Sequence, residues 1–318
     1  MNKTSKATNR RDSSTFDKNT QYISVVVPFH NAAKHIERCI TALISQTYPS
    51  SAYEIIMVDN NSTDNSAEVV MKYPQIKLLS ETKKGSYAAR NLGVAESRGE
   101  IIAFTDSDCE PSPEWLDKIS DAIKEPGVGL IQGGRLYTTD SPSLLLLESY
   151  ESERADYTFS GRAAGLCYGY TNNMAVRRDL FERCGPFVEV MRGADSIFVN
   201  RAVQDYSYRI IRYAQDARIK HSEITGLREY FRKKFIYGRS FQQNYALRKK
   251  THRNMTIAQR SEIVKRTIHK NNYSLLQILP LIVFILIGTI CFMSGRASAM
   301  FEKLYKKPLE LILKRNTI

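Results

Sequence analysis

Acidic residues are in short supply in this chain. Its 33 aspartates and glutamates are outnumbered by 46 lysines and arginines, giving a net charge of +13. Such an excess calls for a partner of opposite sign: nucleic acid, anionic lipid or a phosphorylated substrate. Cysteine is also sparse. Cys39, Cys109, Cys167, Cys184 and Cys291 form no CxxC pair, which excludes the usual zinc spacings and reads as reduced thiols in a cytosolic protein. No GxGxxG follows the first apolar run and no GxxxxGK[ST] occurs, so a dinucleotide fingerprint and a Walker phosphate loop are both missing. Residues 1–20, MNKTSKATNRRDSSTFDKNT, lack the apolar stretch of a secretory signal and read as a flexible polar tail. A composition 42% hydrophobic and 25% charged is nonetheless that of a globular protein.

What is present first is an alternation of strands and helices. ISVVV (23–27), EIIMV (54–58), IKLLS (76–80) and IIAFT (101–105) are short β-rich apolar runs. Between them, Ile36, Cys39, Ile40, Leu43 and Ile44 recur at helical spacing over 33–46, Ala67, Val70 and Met71 mark a second helix capped by Ser62 or Thr63, and a third spans 86–97. This order predicts an α/β fold, a mostly parallel, Rossmann-like sheet with helices on both faces. Later segments add strands near 128–134, 172–178 and 208–214, a helix through LLLLESYESERADY, another from Asp195, and a basic helix over 226–250. In such sheets ligands gather at the carboxyl ends of strands. Three polar clusters fall there: Pro28-Phe29-His30-Asn31, Asp59-Asn60-Asn61 and Asp106-Ser107-Asp108.

The longest uncharged run, LLQILPLIVFILIGTICFMSG at 275–295, is long enough to cross a bilayer as a helix. A soluble helix is rarely apolar on every side for such a length. Basic residues flank it on both sides, so charge leaves its orientation open, and 296–318 reads as a basic amphipathic tail suited to an anionic leaflet. Spanning and re-entrant placements both remain. The expected organisation is therefore a polar tail (1–20), an α/β domain (21–250), a basic juxtamembrane linker (251–273), a transmembrane or re-entrant helix (274–295) and the amphipathic tail.

Asp106 and Asp108 emerge directly from an apolar strand, and such a pair either caps a turn or holds a cation. Two aspartates at i, i+2 can bridge Mg²⁺ or Mn²⁺ to substrate phosphates, which fits a chain with no phosphate loop of its own. The segments ISVVVPFHNAAKHIERCITALISQTYP, EIIMVDNNSTDNS, KKGSYAARNLGVAESRGEIIAFTDSDC and GADSIFVNRAVQDYSYRIIRYAQDARIKH occur in this order. In that order they resemble the family 2 glycosyltransferases of the GT-A fold, over about residues 22 to 240.

The resemblance implies roles. Asp59 would meet the nucleobase and Arg90 a second part of the nucleotide, with Pro28 and Asn31 on the same strand-end rim. Asp106 would lie near the ribose, and Asp108 would hold Mn²⁺ or Mg²⁺ with His221. Gly165 and Gly169 would border the donor sugar, and Asp195 would be the general base of an inverting transfer. The basic stretch to Arg239 would close over the diphosphate. One departure stands out: Ala194 precedes Asp195 where the family often has an acid. The QxxRW pattern of processive synthases is absent from REYFRKKFIYGRSFQQ, which favours single transfer over polymer synthesis. The expected partners are a nucleotide-sugar donor, a glycan or lipid-linked acceptor and anionic membrane lipid, with the catalytic domain cytoplasmic. Basic charge clusters beside the apolar segment instead of interleaving with aromatics, which argues against nucleic acid. Two alternatives are a sugar-phosphate nucleotidyltransferase, which should show a glycine-rich loop where PFHNAA stands, and a non-catalytic membrane-tethered nucleotide or sugar binder.

Overall fold

The computed structural model describes residues 20–137, 139–161, 168–221, 224–247 and 255–306. The first half alternates as β1 (Ile23–Phe29), α1 (Ile36–Ile44), β2 (Tyr53–Asp59), α2 (Ser66–Met71), β3 (Ile76–Ser80), α3 (Ser86–Ala95) and β4 (Ile101–Thr105). β1 pairs in parallel with β2 and β4, and β2 with β3. The β1 run is buried throughout, Ser24 included, because both of its faces are covered. Ile23, Val25 and Val27 pack with Ile36, Ile40 and Leu43 of α1, while Val26 faces the opposite cluster with Tyr87 and Val94 of α3.

The second half adds β5 (Cys109–Pro111), α4 (Trp115–Ile123), β6 (Leu130–Tyr137), α5 (Pro142–Phe159), β7 (Asn173–Arg177), α6 (Arg178–Cys184), α7 (Ala194–Tyr206) and β8 (Ile211–His221). One eight-stranded sheet results, in the order β3-β2-β1-β4-β7-β6-β8-β5. It is mixed: β7 runs antiparallel to both β4 and β6, and β5 antiparallel to β8. The apolar runs that announce strands carry no sign of direction, so strand–helix alternation anticipated the parallel half and not these reversals. Trp115, the single tryptophan, is fully buried and donates from Nε1 to Asn173 Oδ1 at 2.8 Å, a core role.

The last described elements are mainly the helices α8 (Leu227–Gln243), α9 (Ile257–Asn271) and α10 (Leu275–Phe301). α10 continues past the uncharged run, and Leu275–Leu304 is long and apolar enough to cross a membrane. One of its faces nonetheless packs on the domain. A Cβ placed on Gly295 would meet Phe235 O at 2.0 Å, and one on Gly238 would meet Phe292 O at 2.0 Å. Only hydrogen at these two positions lets the α8 and α10 backbones approach so closely. Leu281 is buried with Tyr150, Tyr157 and Ile263, tying α10 to α5 and α9. Leu276, Leu279, Leu286 and Ile290 stay exposed on the other side.

Candidate active site

The loops after β1 and β2 fasten each other. Asn31, in a left-handed conformation at φ 49°, donates from its amide to Ser62 Oγ at 3.0 Å, and its Oδ1 accepts from Thr63 N at 2.7 Å. Asp59 Oδ1 accepts from Ser62 N at 3.0 Å. Asn60 binds the next loop, donating to Glu81 O and Lys83 O and accepting from Gly85 N. His30 contacts Asn60 O through Nδ1 at 2.9 Å, a structural contact within the loop. The helix that follows begins after Asn65 without a side-chain cap, so Ser62 serves the loop instead of capping as expected.

Arg90 reaches from α3 to Asp106 beyond β4 and bonds its carboxylate. Arg90 is 3% exposed, so this buried guanidinium takes Asp106 as its counter-charge and fixes that carboxylate at the cavity wall. Its Nε remains buried without a hydrogen-bond partner, and Arg90 itself lines the cavity. On the other side of the strand end, β5 meets β8 with Cys109 opposite His221. Asp108 Oδ2 lies 3.7 Å from His221 Nε2, and the ligand atoms of Asp108, Cys109 and His221 all lie within 4.8 Å of one another. The sequence brought Asp108 and His221 forward and missed Cys109, whose place follows from the β5–β8 register alone. Burial, reinforced by Asp108 and Asp106, pushes the Cys109 thiol well up, which makes it a poor ligand beside an available carboxylate and imidazole. One carboxylate oxygen and one imidazole nitrogen fit a divalent cation that takes its remaining ligands from phosphate, and the imidazole suits Mn²⁺ better than Mg²⁺.

A cavity of about 700 Å³ opens beside this cluster. It gathers Arg90, Asp106, Gly169, Asp195 and His221 from positions far apart in sequence. Pro28, Asn31 and Asp59 do not line it; they lie at the ends of β1 and β2. Asp195 sits in the first turn of α7, which starts from Gly193 at φ 88°. Its Oδ1 accepts from Ser196 N at 2.7 Å. Gly169 N donates to Ser196 Oγ at 3.2 Å, and a Cβ at Gly169 would come within 3.1 Å of Asp195 O, so a glycine is needed where this loop crosses the start of α7. Tyr87 Oη accepts from Gly193 N at 3.2 Å, and burial together with the Asp195 charge drives its phenol up, so it stays protonated next to that carboxylate. Ala194 is fully buried among Phe187, Phe198 and Val199. A carboxylate there would enter an apolar cluster, which accounts for the departure at this position. Gly165 lies outside the described residues.

The far half of the cavity holds a buried charge network that sequence reading did not identify. Glu151 on α5 accepts from Lys234 Nζ at 2.6 Å and Tyr230 Oη at 2.7 Å, and pairs with Arg154 at 2.5 Å. Burial alone would raise the Glu151 carboxyl, but Arg154 and Lys234 outweigh it and hold the group below the usual carboxylate range. The only linear hint is Glu151 and Arg154 at i, i+3 on one helix. α8 divides its side chains between two neighbours: Tyr230, Lys233, Lys234 and Tyr237 turn to the cavity, while Phe235 and Gly238 meet α10. Arg239 falls on the α10 side, held by Glu302 at 2.8 Å and Ser298 at 3.4 Å, and does not line the cavity. The expectation that it closes over a diphosphate is corrected by this helical phase; Lys233 and Lys234 are the basic residues of α8 that face inward.

A parallel β1–β4 core, a reversed β7 and a strand-end acidic pair completed from β8 define a GT-A nucleotide-sugar transferase fold. The glycosyl transferase family 2 model matches residues 24–185, and the chain belongs to that family. It is 35% identical over 189 residues to the glycosyltransferase AglE of Haloferax volcanii, covering 57% of this chain and 61% of AglE. The chain thus spans less than two thirds of that relative. Among solved structures it is similar to the mannosyltransferase PcManGT of Pyrobaculum calidifontis in complex with GDP-Man and Mn²⁺, with a TM-score of 0.59, 18% identity, and coverage of 90% of this chain and 88% of the other. It is also similar to TarS 1-349 of S. aureus in complex with UDP-GlcNAc, with a TM-score of 0.54, 19% identity, and coverage of 89% and 85%.

Proposed function

We propose that this chain transfers a sugar from a nucleotide-sugar donor to an acceptor hydroxyl with inversion, aided by a divalent cation, in a domain held at the cytoplasmic face of a membrane by α10. The observation that carries this reading is the meeting of Asp106, His221 and Asp195 in one cavity, with Asp108 beside His221. Asp108 and His221 would hold the cation, which supplies charge stabilisation to the departing nucleoside diphosphate. Asp106, held by Arg90, would contact the ribose, and Asp59 at the end of β2 the base. As the bond from anomeric carbon to phosphate oxygen breaks, the acceptor oxygen attacks from the opposite face and Asp195 takes its proton. Such general-base help is typically worth about 10²- to 10⁴-fold in rate. The nucleotide sugar and Mn²⁺ bound by PcManGT support the donor class and the choice of cation.

The test is a thermal-shift screen of nucleoside diphosphates and nucleotide sugars with and without Mn²⁺. Stabilisation by one diphosphate that requires the metal is the expected result. If every nucleotide leaves the melting temperature unmoved in the presence of Mn²⁺, the transferase reading falls.

A further inference from the structure

Past the donor residues, the cavity continues between α5, α8, α9 and α10, and here it is cationic. Arg135, Arg154, Lys234 and Arg260 face into it, and Glu151 is the only acid that α5, α8, α9 or α10 contributes among the described lining residues. These groups feel one another. Burial drives Lys234 down to about 8 against the pull of Glu151, with Arg154 and Arg135 adding to the fall. One carboxylate cannot balance four cations, so the pocket is built for an anion.

The guanidinium groups are posed for an oxyanion. Arg135 lies 3.9 Å from the centre of the Tyr170 ring, and Arg154 lies 5.1 Å from that of Tyr168. Stacking occupies the flat face of a guanidinium and leaves its edge of N–H donors to grip phosphate oxygens, although Arg154 gives one terminal nitrogen of that edge to Glu151. Arg154 Nε is buried without a hydrogen-bond partner, and so is Arg296 Nε on α10, an arrangement that leaves donors unsatisfied until a ligand brings acceptors. The same cavity is bounded by Ile285, Phe292 and Met293 of α10, and the exposed side of that helix continues as apolar surface through Leu279, Leu286 and Ile290. A cationic pocket therefore opens onto an apolar track.

We infer that this half of the cavity binds the phosphate head of an amphiphilic acceptor, with Arg135, Arg154 and Arg260 on the phosphate oxygens and the alkyl chain leaving along α10. The inference deepens the transferase reading and rests on it. The phosphate is a handle that is not consumed; the attacking hydroxyl belongs to the head group it carries towards Asp195.

The test is calorimetric titration of the full chain with monododecyl phosphate, inorganic phosphate and dodecyl maltoside. Monododecyl phosphate is expected to bind at least about tenfold more tightly than inorganic phosphate, since only it uses both the pocket and the track. Arg260→Gln is the cleaner variant, because its hydrogen bond to Thr289 Oγ1 at 3.3 Å strands no buried charge when lost; Arg154→Gln is the second. Each should weaken the alkyl phosphate by about tenfold, the worth of one charge-assisted hydrogen bond, and weaken a nucleoside diphosphate with Mn²⁺ far less. Equal binding of dodecyl maltoside would mean a merely greasy surface and overturn the inference. Inorganic phosphate binding as tightly as the alkyl ester would overturn the amphiphile, and unaltered alkyl-phosphate binding in both variants would overturn the pocket. Loss of metal-dependent nucleotide binding, by contrast, sinks the transferase reading while leaving these titrations intact.

Discussion

The loops after β1–β3 and the helical wall of the cavity are held together by different forces. At the ends of β1–β3, loops are fastened mainly by hydrogen bonds from Asn31, Asn60 and Ser62, short side chains reaching neighbouring backbone. Between α5 and α8, the wall is a buried ionic knot around Glu151. Neutral hydrogen bonds set a rigid shape at small risk, because each group is satisfied locally. Buried ions are different: they are costly to strand and respond to pH. The loops after β1–β3 are thus fixed largely independently of pH, and the knot is not.

The sharpest way to test that division is at the chemistry between the two regions. Asp195→Asn should keep the fold and metal-dependent nucleotide binding, yet reduce transfer by about 10²- to 10⁴-fold, as expected for a lost general base. Asp108→Asn should instead abolish the Mn²⁺ dependence of nucleotide binding, because His221 would remain as the sole cation ligand. Turnover measured beside a thermal shift separates the two; normal turnover in Asp195→Asn removes the base assignment.

A larger structural disturbance is expected at the α8–α10 contact. Gly295→Leu puts a side chain where a Cβ already comes within 2.0 Å of backbone oxygen, so the helices must part. Overpacking of this kind typically costs about 1–3 kcal/mol. The melting temperature should fall and alkyl-phosphate binding should weaken, since α10 forms one wall of the cavity. A variant with unaltered melting would show that α10 moves away from α8 without penalty. In the loops after β1–β3, Asn60→Ala removes donors to Glu81 O and Lys83 O and the acceptor for Gly85 N. A loss of about 1–3 kcal/mol in denaturant unfolding is expected, with little change in its pH dependence because no charge is involved.

How much of this was legible in the sequence follows the same division. β3 and β4 occupy the residues their apolar runs mark out, and Asp108 stood out because a strand end is visible in a linear chain, whereas His221 came forward only through the family resemblance. Cys109 was not, since its neighbour His221 is set by antiparallel register across the sheet. The Glu151 network was hidden for a related reason: its partners Tyr230 and Lys234 lie some eighty positions away on a helix whose phase only packing decides. Arg239 shows the converse. A basic helix gives many candidate cations, and nothing in spacing alone tells which of them turns inward.

The smallest effect, and the one specific to the ionic wall, is a pH dependence. Lys234 is pulled down by burial to about 8 from its ordinary 10.5. Between those values the unfolded chain binds the proton more tightly than the folded one, so this group's contribution makes stability rise as pH increases from about 8 towards 10.5. Below pH 8 both states hold the proton and the contribution is a constant penalty. Tyr230, pushed well up by burial and then by Glu151, works in the opposite sense once an unfolded tyrosine starts to ionise near its ordinary 10.0. Cys39, Cys109 and Cys184, whose thiols burial raises above the ordinary 9.0, act in that same opposite sense from about pH 9, so the window in which Lys234 stands out is pH 8 to 9. Lys234→Met removes the titrating group and should flatten the wild-type rise in unfolding free energy across that window, even though it leaves Glu151 with Arg154 alone as its cation. Equal slopes in the two proteins would mean that Lys234 titrates as an ordinary surface lysine, and the contrast between neutral loops and an ionic wall would lose its clearest signature.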